Sequence, residues 1–230
     1  MTRSYVLLLL AAAACAKQDS SDILTSGVYA DLSAVADGTT TDVSATLFLG
    51  EPIRLTYLEL TGGDQLIASH GGDNKVMTET EVLNVVSHHA TFTTSEQDAE
   101  FVIDFQREVD AGAPLSRATL PAGFTLAASG TFSRTAEVGF SWIPTSTDAM
   151  AWQATGDCIE LATGTITGDS GTATIAANTL KKRMGANIAD QCTVTLTVTR
   201  SRPGELDRAY GKGGQISGQQ RRTSTFTSTP

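Results

Sequence analysis

The stretch Cys192-Thr-Val-Thr-Leu-Thr-Val-Thr199 alternates strictly between threonine and residues that favour a protein core. Successive side chains of a β-strand point to opposite faces of a sheet, so this pattern predicts a half-buried strand. Cys192, Val194, Leu196 and Val198 then lie on the core face, and four threonines lie on the outer face. A cysteine on the core face suggests a staple between two sheets.

The same alternation recurs along the chain, which predicts an all-β fold. Two glycine-rich segments, residues 57–68 and 165–175, have the form strand, turn, strand. Residues 75–86 fit either a helix or two short strands, and residues 180–184 fit one helical turn. Many short strands with turns between them are typical of β-sandwiches. The other alternating sets are Val43, Ala45, Leu47 and Leu49; Phe101, Ile103 and Phe105; and Val138, Phe140 and Trp142.

The amino-terminal residues have the pattern of an export signal. Arg3 supplies a positive charge, and Val6 to Ala14 form an apolar run. The run is too short to span a bilayer, which needs roughly 20 apolar residues, but it suits a secretory signal. Small residues follow it, and then Cys15. We therefore expect residues 1–14 to be a signal peptide that is removed.

This segment resembles the lipobox of bacterial lipoproteins, in which signal peptidase II cuts just before a cysteine that receives the lipid. The resemblance covers about the first fifteen residues, and Ala12 stands where the family usually has leucine. It implies that Cys15 is lipidated and that residues 15–25 are a tether. Ala16 is not the aspartate that often retains such proteins at the inner membrane, so the resemblance implies the outer membrane. An ordinary signal with a chance cysteine is the alternative.

Cys158 and Cys192 remain once Cys15 is assigned to the lipid. In an oxidising compartment two cysteines predict a disulfide, which would close a loop of roughly 35 residues. A metal site is not expected here, because no histidine lies near either cysteine in the sequence.

The formal net charge of −9 is unevenly distributed. Residues 16–116 hold 17 acidic and 4 basic residues, whereas residues 117–230 hold 8 acidic and 11 basic residues. This change of sign suggests two units. The segment Gly112-Ala-Pro-Leu-Ser-Arg-Ala-Thr-Leu-Pro121 has two prolines and predicts a linker. We expect an acidic β-sandwich over 26–114 and a second sandwich, with the disulfide, over 121–230.

A tryptophan followed by a cysteine pair resembles immunoglobulin-like domains, although Trp142 and Trp152 both precede the two cysteines. The chain as a whole is similar to bacterial lipoproteins built from β-sandwich modules. The segments that carry this likeness are Tyr57-Leu-Glu-Leu-Thr-Gly-Gly-Asp64, Gly156-Asp-Cys158, Arg200-Ser-Arg-Pro-Gly204 and Gln220-Arg-Arg-Thr-Ser-Thr-Phe-Thr-Ser-Thr-Pro230. The resemblance implies tandem immunoglobulin-like sandwiches and no particular activity.

Gly168-Asp-Ser-Gly171 matches the sequence around the nucleophile of trypsin-like serine proteases. Such a serine needs a histidine base within hydrogen-bond reach and an orienting carboxylate. Here Thr172 and Ala173 replace the family's Gly-Pro, and the histidines lack its Ala-Ala-His-Cys setting. A hairpin turn is the expected reading. A serine hydrolase using Ser170 is the remote alternative.

The sequence contains residues that could form a histidine metal site or a calcium site, and neither site is expected. His88 and His89 are neighbours and would point to opposite faces of a strand, while His70 lies in a turn. The acidic turns Asp37-Gly-Thr-Thr-Thr-Asp42 and Gly71-Gly-Asp-Asn74 could supply oxygen ligands to calcium, which needs six to eight of them. Solvated turns are the expected reading, and no cofactor is predicted.

The predicted function is a structural or binding role in the cell envelope, like that of an adaptor or adhesin, without catalysis. The partners would be the membrane, through the lipid, and an envelope protein or glycan. Nucleic acid is not expected for an exported acidic protein. Basic clusters at Lys181–Arg183, Arg200, Arg202 and Arg221–Arg222 could meet anionic glycolipid, or the acidic half, or solvent. A carbohydrate-binding module is the main alternative, with Trp142, Trp152 and Tyr210 as a possible stacking platform.

Overall fold

The computed structural model describes residues 17–50 and 56–230. The predicted signal and Cys15 lie outside the described residues. Two short 3-10 turns, Ser20–Asp22 and Thr25–Gly27, lie between the first two strands of a long succession of strands, which confirms the all-β prediction. In the described part of the chain no helix is long and apolar enough to cross a membrane. The strands are β1 (Lys17–Asp19), β2 (Val28–Ala36), β3 (Thr41–Leu49), β4 (Tyr57–Glu59), β5 (Gln65–His70), β6 (Asp73–Val76), β7 (Thr78–Val82), β8 (Val85–Phe92), β9 (Glu100–Gln106), β10 (Ala113–Thr119), β11 (Thr131–Ser133), β12 (Val138–Ser141), β13 (Ala149–Thr155), β14 (Ala162–Ile166), β15 (Thr172–Ile175), β16 (Cys192–Pro203) and β17 (Gly214–Thr229).

One large sheet runs through the described structure in the order β1-β4-β3-β2-β17-β16-β13-β14. β8 pairs with β3 and β7, and β11 pairs with β17. Residues 214–220 of β17 pair in parallel with β2, while residues 217–228 pair in antiparallel fashion with β16. β17 therefore joins strands from the two halves of the chain into one sheet.

Two smaller sheets form the second layer. The sheet β10-β9-β5-β6 accompanies the first half of the chain, and the pair β12-β15 accompanies the second. Each covers one hydrophobic cluster. The first cluster draws on β2, β3, β5, β8, β9 and β10, and the second on β12 to β17.

The border between the two clusters lies near the predicted domain border. Leu120 belongs to the first cluster and Phe124 to the second. However, Tyr210 and Ile216 return to the first cluster. Residues 121–230 thus contribute to both clusters, and both clusters pack against the same large sheet. Two separate sandwiches in tandem stay a prediction.

The alternation in β16 is present as predicted. Val194, Leu196 and Val198 are buried on the core face, and the threonines between them are exposed or partly exposed. The strand continues beyond the quoted stretch to Pro203, so that Arg200 also falls on the core face and is buried.

The linker predicted over Gly112–Pro121 is wrong, because most of this segment is the strand β10. β10 pairs with β9 and buries Ala113, Ser116 and Ala118. It is the edge strand of its sheet, and its register shifts between Ala113 and Ser116. An edge strand with a bulge tolerates a proline, since one side of the strand needs no N–H donors.

The tether predicted over residues 15–25 is wrong for its described part, residues 17–25. β1 pairs with β4, and the side chains of Ser20 and Thr25 are buried. Polar composition suggested a free segment, but these polar groups find hydrogen-bond partners within the fold, as described below.

Three local predictions can be compared with the strands. Residues 75–86 form strands and not a helix, in agreement with one of the two alternatives. The helical turn over residues 180–184 is wrong, since Lys182 makes an isolated antiparallel bridge with Ile159. The hairpin at residues 165–175 is also wrong: β14 pairs with β13 in the large sheet, whereas β15 pairs with β12. Gly168–Gly171 crosses between layers.

The disulfide between Cys158 and Cys192 is confirmed, with the two Cα atoms 5.6 Å apart. The sequence suggested that this disulfide joins two sheets, and that prediction is wrong. Thr155 on β13 is opposite Thr195 on β16, so the antiparallel register brings residue 158 level with residue 192. The bond therefore closes one end of the β13–β16 ladder within the large sheet.

Candidate functional site

The buried ion pair between Arg200 and Asp169 is the main polar centre of the second cluster. Arg200 Nη2 donates to Asp169 Oδ2 at 2.9 Å, and the two side chains are 0% and 6% exposed. Arg200 Nη1 donates to the Ala122 carbonyl at 2.7 Å and to Thr145 Oγ1 at 2.6 Å. The guanidinium also lies over the Phe124 ring. This centre ties the layer-crossing loop to β16.

Asp169 collects hydrogen bonds from several donors besides Arg200. The Trp142 Nε1–H and the amides of Thr145 and Ser146 all donate to its carboxylate. Burial alone would raise the pKa of this carboxyl, but these donors and the Arg200 charge outweigh it and hold the pKa below its ordinary value. The lowered pKa favours the charged carboxylate of Asp169, which anchors the crossing loop.

Ser170, the nominal nucleophile, lies exposed in the same loop. Its hydroxyl donates to the Thr172 carbonyl at 2.8 Å. His70, His88 and His89 lie on β5 and β8 around the first cluster, so the fold does not bring a histidine base to Ser170. The Gly-Asp-Ser-Gly motif owes its aspartate to the Arg200 anchor and its glycines to the positive φ angles of the crossing.

The three histidines have separate partners. His89 Nδ1 lies 3.0 Å from Asp42 Oδ2, His88 Nε2 lies 3.5 Å from Glu79 Oε2, and His70 Nδ1 contacts the Glu100 carbonyl. His88 is buried, and its pKa is lowered to about 4, first by burial and second by the His89 charge. Over residues 17–50 and 56–230, no group of three or more potential metal ligands occurs.

The two acidic segments that could supply oxygen ligands to calcium lie at hairpin turns, and side-chain hydrogen bonds hold the first of these turns. The Asp37 carboxylate accepts hydrogen bonds from the main-chain amides and the hydroxyls of Thr39 and Thr40. The hydrogen bonds from the two amides lower the pKa of Asp37 to about 2. Gly71 and Gly72, both at positive φ, connect β5 to β6, and Asp73 and Asn74 are the first residues of β6. Asp42 at the end of the first turn is engaged by His89, so the fold does not gather these oxygens into one site.

Most of the arginines in the predicted basic clusters serve internal contacts. Arg202 donates to Asp148 in the second half and to Asp98 in the first half, with bonds of 2.6 to 3.1 Å. These bonds raise the pKa of Arg202 and lower the pKa of Asp148. Arg222 donates to the Ala36 carbonyl. Arg202 and Arg222 therefore link the basic half to the acidic half, one of the three alternatives.

The aromatic platform proposed for sugar stacking is wrong for the three residues considered. Trp142 and Trp152 are buried in the second cluster, and Tyr210 is buried in the first. Trp152 packs against Gly164, where even a Cβ atom would approach the indole to 2.6 Å. Trp142 and Tyr210 fill two different cores, and Trp152 is 8% exposed where it borders a surface groove, so the three rings form no shared platform.

A second buried arginine, Arg107, was not among the residues predicted from the sequence. It donates to Asp64 at 3.0 Å, to the Ile23 and Ser20 carbonyls, and to the Thr25 hydroxyl. Both Arg107 and Asp64 side chains are 0% exposed. Arg107 therefore fastens residues 20–25 to the body of the protein. A signal did exist, because polar residues in 18–25 need partners when they are buried.

The outer face of the large sheet in its second half carries a regular array of threonines, which we term the threonine face. Cross-strand pairs place Thr193 opposite Thr227 and Thr197 opposite Thr223. Sheet geometry spaces such side chains by about 7 Å along a strand and about 5 Å across strands. The threonine face consists of Thr155, Thr163, Thr165, Thr193, Thr195, Thr197, Thr199, Thr223, Thr225 and Thr227.

The hydroxyl groups of the threonine face are free of internal bonds. Within residues 17–50 and 56–230 they form no hydrogen bond to the protein, whereas the hydroxyls of Thr25 and Thr41 donate to main-chain carbonyls. A shallow groove of about 340 Å³ crosses this face, lined by Gln153, Thr163, Thr197 and their neighbours. A hydroxyl both donates and accepts, so the array suits a partner rich in neutral polar groups.

No family model and no curated protein matches the chain. Among solved structures it is similar to the BSP domain of a biofilm associated protein, with 14% identity and a TM-score of 0.29, over 88% of this chain and 30% of that chain. It is also similar to the adhesin InvE of Yersinia pseudotuberculosis (12%, TM-score 0.24, 86% and 58%) and to a chimeric titin Z1Z2 tandem (11%, TM-score 0.23, 84% and 95%). The chain spans less than two thirds of the first two. At these TM-scores the likeness carries no argument.

Proposed function

We propose that the protein is an exported lipoprotein of the cell envelope, anchored through Cys15, with a structural or binding role. The disulfide between Cys158 and Cys192 supports export, because disulfides persist in oxidising compartments and are rare in the cytosol. The outer membrane is the proposed location, and catalysis is not part of the proposal.

The threonine face is the surface that we propose for the partner. The observation that carries this proposal is an array of uncharged hydroxyl groups with no internal bonds on a continuous sheet. A glycan is the partner whose chemistry fits best, because its hydroxyls can exchange hydrogen bonds with threonine and its ring faces can contact threonine methyl groups. An envelope protein is the second candidate.

The test is capture of envelope components by the mature chain, oxidised and immobilised. Solubilised envelope from the native organism is passed over it, and bound glycan and protein are identified by mass spectrometry. The variant T163E/T197E places two charges beside the groove, and we expect it to retain about tenfold less of a specific partner. The matched control is T78E on β7, far along the sheet. Equal capture by all three forms contradicts the assignment of this face.

A further inference from the structure

The hairpin formed by β7 and β8 ends in an apolar turn that projects into solvent. We term Val82–Val85 the hairpin tip. Leu83 is 89% exposed and Val82 is 67% exposed. Leu83 and Asn84 have φ angles of 52° and 65°, as a tight two-residue turn of the I′ type requires. Glycine, asparagine or aspartate would ordinarily occupy the position of Leu83. A leucine that is both strained and exposed points to a role outside the fold.

The hairpin tip lies at the end of the molecule where the described chain begins. Lys17 Nζ is 2.6 Å from Oε2 of Glu81, the residue directly before the tip. Lys17 is also the partner of Tyr57 in the β1–β4 pair. The amino-terminal residue of the described chain and the tip are therefore neighbours.

A small apolar cluster holds the hairpin in this position. Val86, the residue directly after the tip, is buried against Phe48 and Tyr57. Tyr57 is paired with Phe48 on one side and with Lys17 on the other. The direction of the tip is thus fixed by packing and does not depend on the Lys17–Glu81 ion pair alone.

We propose that the hairpin tip enters the surface of the lipid bilayer that carries the Cys15 anchor. This inference rests on the proposed lipidation. Cys15 lies two positions before Lys17 in the sequence, and two residues span at most about 7 Å. A lipid at Cys15 therefore holds β1, and with it the tip, against the bilayer. Apolar side chains exposed at the tip would insert into the bilayer and add to the membrane affinity that the acyl chains provide.

The charges around the tip indicate which lipid surface it meets. Glu59, Glu79 and Glu81 lie near it, and Lys17 is the cation that faces two of them. An anionic surface would be repelled by this set, so a zwitterionic surface such as phosphatidylcholine is the expected one.

The experiment places a tryptophan at the tip of the full lipoprotein. Mature L83W protein, purified from a lipoprotein-producing bacterium, is reconstituted into phosphatidylcholine vesicles with and without brominated acyl chains. The native Trp142 and Trp152 are buried in the second cluster and give a constant background. The control is L161W, because Leu161 is 65% exposed and lies in the second half of the chain. Intact mass and co-sedimentation report whether the lipid is present and holds the protein.

We expect bromination to lower the added fluorescence of L83W about twofold and to leave that of L161W unchanged. Anchored L83W protein without quenching overturns the inference and leaves the proposed function intact. A concentration-dependent blue shift of L83W without bromine quenching identifies a second copy as the occupant and also overturns it. Protein that lacks the acyl mass and stays in solution overturns the proposed function, and the inference with it.

Discussion

Arg200 occupies a position on β16 where the alternating pattern places apolar side chains. Because a buried charge is costly without a partner, an arginine at this register predicts a carboxylate nearby. The sequence offered Asp169 only as part of a protease-like motif. Its true role depends on the layer-crossing loop, which no local pattern reveals. The residue pattern therefore predicts the need for a partner but not its identity.

Replacing Arg200 with methionine should lower the free energy of unfolding by about 3–5 kcal/mol, since the Asp169 carboxylate remains buried without its cation. Urea denaturation measures the change. The matched control is R221M: Arg221 lies exposed on β17 opposite Thr199, and this variant should change stability by less than about 0.5 kcal/mol. Equal losses in the two variants would contradict a central role for the buried pair.

His88 should make the protein sensitive to mild acid. Its pKa of about 4 in the folded state is below the ordinary value of 6.5, so the unfolded chain binds more protons between these two pH values. Stability should therefore fall as pH is lowered from 6.5 toward 4, by about 1–2 kcal/mol at pH 5. The carboxyl of Asp37, with a pKa of about 2, acts at lower pH.

The variant H88L separates this effect from others, because the ring is buried and its neutral form is the one the fold accepts. Urea unfolding at pH 7 and pH 5 should show a smaller pH difference in H88L than in the parent. H89Q is the control, since His89 is partly exposed and paired with Asp42. If the difference in stability between pH 7 and pH 5 is as large in H88L as in the parent, groups other than His88 cause the acid sensitivity.

At the scale of strands, the alternating residues of β3, β9 and β16 were sufficient to predict their buried faces. The same alternation did not predict which strands pair with each other. The Gly168–Gly171 turn was expected to join paired strands, yet it joins two layers. β10 was missed because two prolines outweighed its weak alternation, although an edge strand tolerates them. Periodicity identifies faces, whereas pairing depends on contacts between distant segments.

The disulfide between Cys158 and Cys192 links two strands, because it closes the end of the β13–β16 ladder. The variant C158A/C192A should lose about 3 kcal/mol of stability, because the unfolded chain gains the freedom of a loop of 34 residues. Urea denaturation of the variant and of the oxidised parent measures this difference. Reduction of the parent should have the same effect, while a stability unchanged by either treatment would contradict it.

For the whole molecule, β17 is the element that the two hydrophobic clusters share. The charge asymmetry and the length suggested two units, and the clusters do divide near residue 121. The return of the chain to the first cluster through Tyr210 and Ile216 was not visible in sequence, because it depends on the parallel pairing of β17 with β2.

A shared strand should couple the unfolding of the two clusters. We expect one thermal transition in calorimetry, with the calorimetric enthalpy equal to the van't Hoff enthalpy. The R202M variant removes a link between Asp98 and Asp148 and should lower the transition temperature without splitting the transition. Two separate transitions in the parent would show instead that the halves are independent domains.

Acyl labelling in a bacterial host determines whether the protein is anchored to the envelope by a lipid at Cys15. Cells that express the full chain or the C15S variant are grown with a labelled fatty acid, and the mature protein is recovered from the membrane and soluble fractions. If Cys15 is lipidated, we expect label and membrane association in the parent and neither in C15S. An unlabelled parent, or label that persists in C15S, would contradict it.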